Sequence, residues 1–250
     1  MIARSASVLG GALEPRQVEA KAGKLWYVIA TRIRVRPRDK EEEQHVSNSR
    51  RPLRTRSARW AKALASLLVR WRISPNSISV TSIAFAAVGA VAMLQGTATG
   101  LLVAGLCIQL RLVCNLLDGM VAVEGGLGNS VGALYNEIPD RIADSLLIIP
   151  LGYVIGSPWL GWLGALAAAV TAYIRVLGGA LGFSQDFRGP QAKQHRMAIA
   201  TLACVIGAIE LRLYGSRYAI TAALWVIAFG SIVTCGTRTR AIARLLQARN

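Results

Sequence analysis

Charge is scarce in this chain. Asp, Glu, Lys and Arg make up 17% of its 250 residues, where soluble domains carry about 25%. Hydrophobic residues make up 53% and the mean hydropathy is +0.42. That is too little polar surface for a water-soluble fold, which excludes a soluble enzyme and a disordered chain. Cysteine is also sparse. Cys107, Cys114, Cys204 and Cys235 lie inside or at the edge of apolar runs without CxxC pairing, so they read as small membrane hydrophobes and argue against a zinc site or disulfide framework. Residues 1–13 lack a long apolar core behind a basic start, so no cleavable signal peptide is expected. No repeat of fixed period stands out.

Acidic residues are the scarcest of the charges, 13 against 29 Lys and Arg, giving a formal net charge of +16. Such an excess points first to nucleic acid, but its placement argues otherwise. Residues 1–72 hold 17 of the 29 basic residues, with no interleaved aromatics of a nucleic-acid surface. They read as a solvated segment apposed to anionic headgroups.

Long charge-free runs follow. Residues 73–110, 145–174 and 218–237 contain no charged side chain, and about 20 apolar residues cross a bilayer core. The first run is broken by Gln95-Gly96-Thr97-Ala98-Thr99-Gly100 and the second by Gly156-Ser157-Pro158, so each reads as two spans and a turn. Met197–Leu213 and Tyr218–Cys235 add two more, the former shortened by Glu210 and Arg212. The expected fold is an all-α integral membrane protein of six transmembrane helices. A basic, poorly ordered tail (1–50) precedes a six-helix domain (51–240) that opens with a juxtamembrane helix, and a basic tail (241–250) follows. Lys and Arg gather before span one, between spans four and five and after span six, which places both termini on the cytoplasmic side of the inner membrane.

Five of the seven acids beyond residue 72 (Asp118, Glu124, Glu137, Asp140 and Asp144) fall within 27 residues. Ionisable groups at membrane depth are costly and mark function. Neutralisation by Arg111 and Arg141 is the structural alternative, but two arginines leave the remaining acids unpaired. Asn115 and Asp118 share one helical face, as do Asn136, Asp140 and Asp144. Two antiparallel helices bring these faces together, and converging oxygens suit a hard divalent cation, Mg²⁺ or Mn²⁺. The glycine-rich run from Glu124 to Gly132 between them is a candidate phosphate cradle.

The residues from Asn115 to Asp140 resemble the signature of the CDP-alcohol phosphatidyltransferases, DxxDGxxAR, eight residues, GxxxDxxxD. Every spacing is kept, with Asp118, Gly119, Gly132 and Asp140 at fixed points. Ser74-Pro75-Asn76-Ser77-Ile78-Ser79 resembles the family's TPNxxT segment. Asp140-Arg141-Ile142-Ala143-Asp144 resembles the DRxSD run of its phosphatidylinositol-phosphate synthase branch. The resemblance implies a phospholipid-synthesis transferase that moves a phosphatidyl or phospho-alcohol group from CDP-diacylglycerol or another CDP-alcohol to an alcohol acceptor, releasing CMP. It implies Asn115, Asp118, Asn136 and Asp140 as metal ligands and Asp140 as general base. It places Asn76, Ser77, Ile78, Ser79, Gly119 and Asn129 near the nucleotide. It further implies a homodimer, with membrane lipid and no nucleic acid as partners.

Three positions depart from the pattern: Asn115 and Asn136 stand for aspartates, and Val123 for arginine. Two negative charges are thereby lost from a site that balances two cations. Glu137 and Asp144 are the candidate compensating acids. Arg175, Lys193 and Arg196 are the candidate acceptor-binding cations, with His195 on the same side. Trp159, Trp162 and Tyr173 read as interfacial anchors. The alternative function is a catalytically silent member that binds CDP-lipid or acts as a membrane assembly partner. A transporter is disfavoured, because the polar residues cluster at one membrane face.

Overall fold

The computed structural model describes residues 58–126 and 131–249. The expectations for the N-terminal tail, and for Asn129, lie outside these residues. Among the described residues there are seven helices: α1 (Arg59–Arg70), α2 (Pro75–Leu94), α3 (Ala98–Glu124), α4 (Gly132–Val154), α5 (Pro158–Ala180), α6 (Lys193–Tyr214) and α7 (Tyr218–Gln247). No strand occurs among the described residues.

The helix boundaries follow from local chemistry. Ser74 caps α2, its hydroxyl accepting from the Ser77 amide at 3.1 Å, and Pro75 fills the first helical position, where no N–H is needed. Thr97 caps α3 in the same way, accepting from the Gly100 amide at 3.0 Å. Gly96 before it takes a positive φ of 63° to reverse the chain. Glu210 reaches across the α6–α7 turn. Its carboxylate accepts from the Tyr218 and Ala219 amides at 2.7 and 2.8 Å and from the Ser216 hydroxyl at 2.6 Å. The acid expected to shorten a span therefore closes the N-terminus of the next one, where a negative charge is favoured. Glu210→Ala is expected to lower the thermal unfolding midpoint in detergent by a few degrees, checked by a melting curve; an unchanged midpoint would deny the cap its role.

Five helices (α2, α3, α5, α6 and α7) are long and apolar enough to cross a membrane. The expectation of six meets its exception at α4. That helix has the length, 23 residues, but its first half carries Glu137, Asp140, Arg141 and Asp144. The α6 span, expected to be the weakest, meets the criterion. The last helix also runs further than expected. It continues to Gln247, so residues 241–247 of the expected basic tail are helical and continuous with α7.

Helix α3 packs against α2, α6 and α1; α4 packs against α2 and α5; and α7 packs against α5 and α6. The second half of α4 is apolar, and Leu147, Ile148, Leu151 and Val154 are buried in the main core with Met93, Ile108, Cys204 and Leu224. Gly152 and Gly161 let α4 and α5 meet backbone to backbone. A Cβ on Gly152 would lie 2.8 Å from the Gly161 nitrogen, the small-residue packing of membrane helices. A second cluster joins α1 to α2 and α3 through Ala61, Ala65, Ile78, Leu116, Leu117 and Val121. Helix α1 turns Trp60, Leu64 and Leu67 outward beside Arg59, Lys62 and Arg70, the composition of a helix lying in a membrane interface. The buried charged side chains thus gather at one end of the bundle, around the C-terminal half of α3, the N-terminal halves of α4 and α6 and Arg238 of α7.

Candidate active site

Asp118 and Asp140 are both buried, at 6% and 7% exposure. Asp118 stands near the end of α3. Its Oδ2 accepts from the Ser79 hydroxyl at 2.6 Å, which ties it to the first turns of α2. Asp140 follows Pro139, whose missing N–H opens the α4 ladder just before it. Its Oδ1 accepts from the Asn115 amide at 2.7 Å and from the Arg111 guanidinium at 3.2 Å. Its Oδ2 meets the Lys193 ammonium at the start of α6. Arg141, more open to solvent, lies 3.7 Å from the same oxygen. The charges of Asp118 and Asp140 act on each other, and Lys193 acts on both.

Asp144, one turn on, is held between two buried arginines. Arg111 Nη2 approaches Oδ1 at 2.6 Å and Arg196 Nη2 donates to Oδ2 at 2.7 Å. Arg196, 1% exposed, also donates to the Gln191 carbonyl at 3.0 Å. Arg111 is 0% exposed, and its Nε and Nη1 have no hydrogen-bond partner among the described residues. Its buried charge is compensated by the carboxylates of Asp140 and Asp144. Neutralisation by arginine, the alternative considered for the acids, therefore holds for Asp144, with Arg196 in the place expected for Arg141.

The expected site residues divide accordingly. Asn115, Asp118 and Asp140 come together, with Gly119 partly exposed beside Asp118. Asn136 is exposed, one turn before Asp140, and makes no side-chain hydrogen bond among the described residues. Ser79 braces Asp118, and Ile78 packs inward beneath α1. Asn76 is half-buried and Ser77 exposed at the start of α2. Glu137 and Asp144 are not spare acids. Glu137 is paired with Arg175 at 2.5 Å and Asp144 with Arg111 and Arg196. Arg196 is an internal anchor and does not face an acceptor. Lys193 sits within the carboxylate site itself.

A cavity of about 590 Å³ is lined by Arg175, Arg188, His195 and Arg238 among others. The carboxylates of the site do not line it, and its link to them is Arg175, which pairs with Glu137 one turn before Asp140. The cavity rim is the α5–α6 connector, which is fastened at many points. Arg175 donates to Gln185 and stacks over Phe187, its guanidinium carbon 5.4 Å from the ring centre. Arg238 donates to the Arg188 carbonyl at 2.9 Å and to the Thr171 carbonyl at 2.7 Å. The Gln191 amide donates to Thr234 Oγ1 at 3.0 Å. Arg188 donates to both carboxylate oxygens of Asp186. Partial burial opposes ionisation of Asp186, but the Arg188 hydrogen bonds outweigh it and hold the carboxyl below its ordinary range. Arg238 is the residue whose role sequence reasoning missed. The available signal was that it is the charge that ends a long apolar run.

A hard cation suits this donor set, which supplies the carboxylates of Asp118 and Asp140 and the side-chain carbonyl of Asn115. Among the described residues no group of three or more His, Cys, Asp or Glu converges. Protein ligands are therefore few, as in sites where phosphate and water complete the shell.

No family model matches the chain. Among characterised proteins, the phosphatidylinositol phosphate synthase of Corynebacterium glutamicum is 31% identical over 179 residues, covering 68% of this chain and 78% of the relative. That of Mycobacteroides abscessus is 26% identical over 193 residues, covering 74% and 84%. The fold matches the crystal structure of Mycobacterium tuberculosis phosphatidylinositol phosphate synthase with CDP-DAG bound, with a TM-score of 0.64 and 21% identity over 74% of this chain and 94% of that one. The same enzyme in complex with manganese and citrate gives 0.63 at 20% identity, over 73% and 88%. With its relatives, its fold and the convergence of Asn115, Asp118 and Asp140 in agreement, the chain belongs to the CDP-alcohol phosphatidyltransferase family.

Proposed function

We propose that this chain transfers a phosphatidyl group from CDP-diacylglycerol to a hydroxyl of an inositol phosphate, releasing CMP. The observation that carries this reading is the contact of Asp140 with Asn115 and Lys193, which joins α4 to the helix that carries Asp118 and to the start of α6. The donor is the lipid named in the matched structure, and the product is the one for which the relatives are named. In this reading α4 is the sixth span. Both termini and the α3–α4 turn then face the cytoplasm, where the nucleotide is released, and two copies of the chain pair in the membrane.

The acceptor hydroxyl oxygen bonds to the β-phosphorus of the donor. The bond from that phosphorus to the bridging oxygen breaks, and the electron pair leaves with CMP. Asp140 takes the hydroxyl proton, within a carboxylate held in place by Asn115 and Arg111. Lys193 lies against the same carboxylate and offers its ammonium to the diphosphate as it enters. Ser79 keeps Asp118 from rotating. Asp118 and the Asn115 carbonyl would hold the divalent ion beside Asp140, with Asn136 free to add an oxygen. Such an ion supplies charge neutralisation at the breaking phosphorus–oxygen bond. Arg175, at the wall of the cavity, receives the acceptor's phosphate, a dianion suited to a guanidinium fork.

Purified chain in lipid nanodiscs, given CDP-diacylglycerol and Mg²⁺ or Mn²⁺, should release CMP with inositol phosphate and much less with inositol, glycerol phosphate or serine. CMP release with none of these acceptors, despite CDP-diacylglycerol binding, would favour the silent reading. Arg175→Ala should raise the KM for the phosphorylated acceptor about tenfold or more, the loss of one charged hydrogen bond, and leave the KM for CDP-diacylglycerol nearly unchanged. An equal rise in both would take Arg175 out of the acceptor site.

A further inference from the structure

The charge balance of the site limits how many divalent ions it can hold. Buried together are three carboxylates, Asp118, Asp140 and Asp144, and two fully buried guanidiniums, Arg111 and Arg196. The Lys193 ammonium lies in contact with Asp140. Those six charges cancel. Glu137 and Arg175 cancel each other as a separate pair. Arg141, 26% exposed and 3.7 Å from Asp140, adds a partly screened positive charge, which weighs further against a second ion. Asn115 and Asn136, where two further acids could stand, contribute none. A pyrophosphate diester brings two negative charges. One divalent ion therefore brings the loaded site to neutrality, and a second would leave two positive charges uncompensated in a place of low dielectric.

The geometry agrees with the count. Two divalent ions about 3.5–4 Å apart repel each other, and an anionic oxygen shared between them offsets that repulsion. Asp140 is the carboxylate placed to supply one, and both its oxygens are already engaged. One accepts from Asn115 and Arg111, and the other faces the Lys193 ammonium. Asn115 turns its amide donor, not a second anionic oxygen, toward Asp140.

Resting on the functional reading above, we propose that the site takes one divalent ion, and that the Lys193 ammonium is a built-in second cation facing the same pyrophosphate. The ion sits on the Asp118 side, with the Asn115 carbonyl, while Lys193 holds the Asp140 side. Asn115 and Lys193 then form a matched pair: one lost anionic ligand and one tethered cation.

The test counts metal directly. Full-length chain in lipid nanodiscs is titrated with Mn²⁺ with and without CDP-diacylglycerol, and electron paramagnetic resonance reads both the number bound and any spin coupling between ions. One uncoupled Mn²⁺ per chain is expected. The triple variant Asn115→Asp, Asn136→Asp, Lys193→Met should double the count and show a coupled pair. A coupled pair in the unaltered chain, no Mn²⁺ bound at all, or a folded triple variant that still takes one ion would overturn the proposal. Binding of radiolabelled CDP-diacylglycerol is measured on the same samples. Its absence sinks the functional reading, whereas lipid binding with two coupled ions sinks only the single-ion proposal.

Discussion

Replacing Asp140 by Asn should slow CMP release by roughly 10²–10⁴-fold, the usual contribution of a positioned proton acceptor. The substitution keeps the side chain's shape and can still accept from the Asn115 amide, so the local packing survives. It removes the basic oxygen that faces both the incoming hydroxyl and the Lys193 ammonium. The rate should therefore fall far more than the affinity for CDP-diacylglycerol. A steady-state split of kcat from KM, with lipid binding measured separately, checks this. Turnover near that of the unaltered chain in a well-folded variant would remove Asp140 from the proton transfer.

The largest loss of stability is expected at Asp144. Changing it to Asn deprives two guanidiniums, 0% and 1% exposed, of the carboxylate they share. Arg111 keeps only its longer contacts to Asp140, the carboxylate at 3.2 Å and the backbone carbonyl at 3.3 Å, and Arg196 keeps a backbone carbonyl. Breaking a buried ion pair from one side costs about 3–5 kcal/mol, because the surviving charge stays buried. In a chain of this size that is a fall of roughly 10 °C in the unfolding midpoint. Asp186→Asn is the control. Its partner Arg188 is 81% exposed, so that substitution should leave the midpoint nearly unchanged. Adding Arg196→Met to Asp144→Asn should recover part of the loss, since it removes one of the stranded charges. Equal melting of the Asp144 and Asp186 variants would show that the buried network does not stabilise the bundle.

Sequence made the helical layout legible because hydropathy is a local quantity. Each long apolar run became one or two helices, broken where Gly96 and Gly156 take positive φ. The signature spacing likewise placed Asn115, Asp118 and Asp140 on facing helices. What spacing does not encode is which partner each charge finds. Lys193 reaches Asp140 across 53 residues, Arg196 reaches Asp144 across 52, and Arg175 reaches Glu137 across 38. Those meetings depend on the rotation and depth of α4, α5 and α6 in the packed bundle. From spacing alone Glu137 and Asp144 read as spare acids and Arg196 as an acceptor ligand, whereas packing pairs all three internally. Composition misled at α4 for the opposite reason: the charges that make the site also remove that helix from the set apolar enough to cross a membrane on length and hydropathy alone.

The α5–α6 connector is stitched to α5, α6 and α7 by Gln185, Arg188 and Gln191. A rim anchored at so many points cannot swing as a hatch. Acceptor capture should then follow lock-and-key kinetics, in one step and linear in concentration, with no saturating isomerisation phase in a stopped-flow trace. Selectivity between acceptors would lie in residence time, because a preformed opening admits them at similar rates.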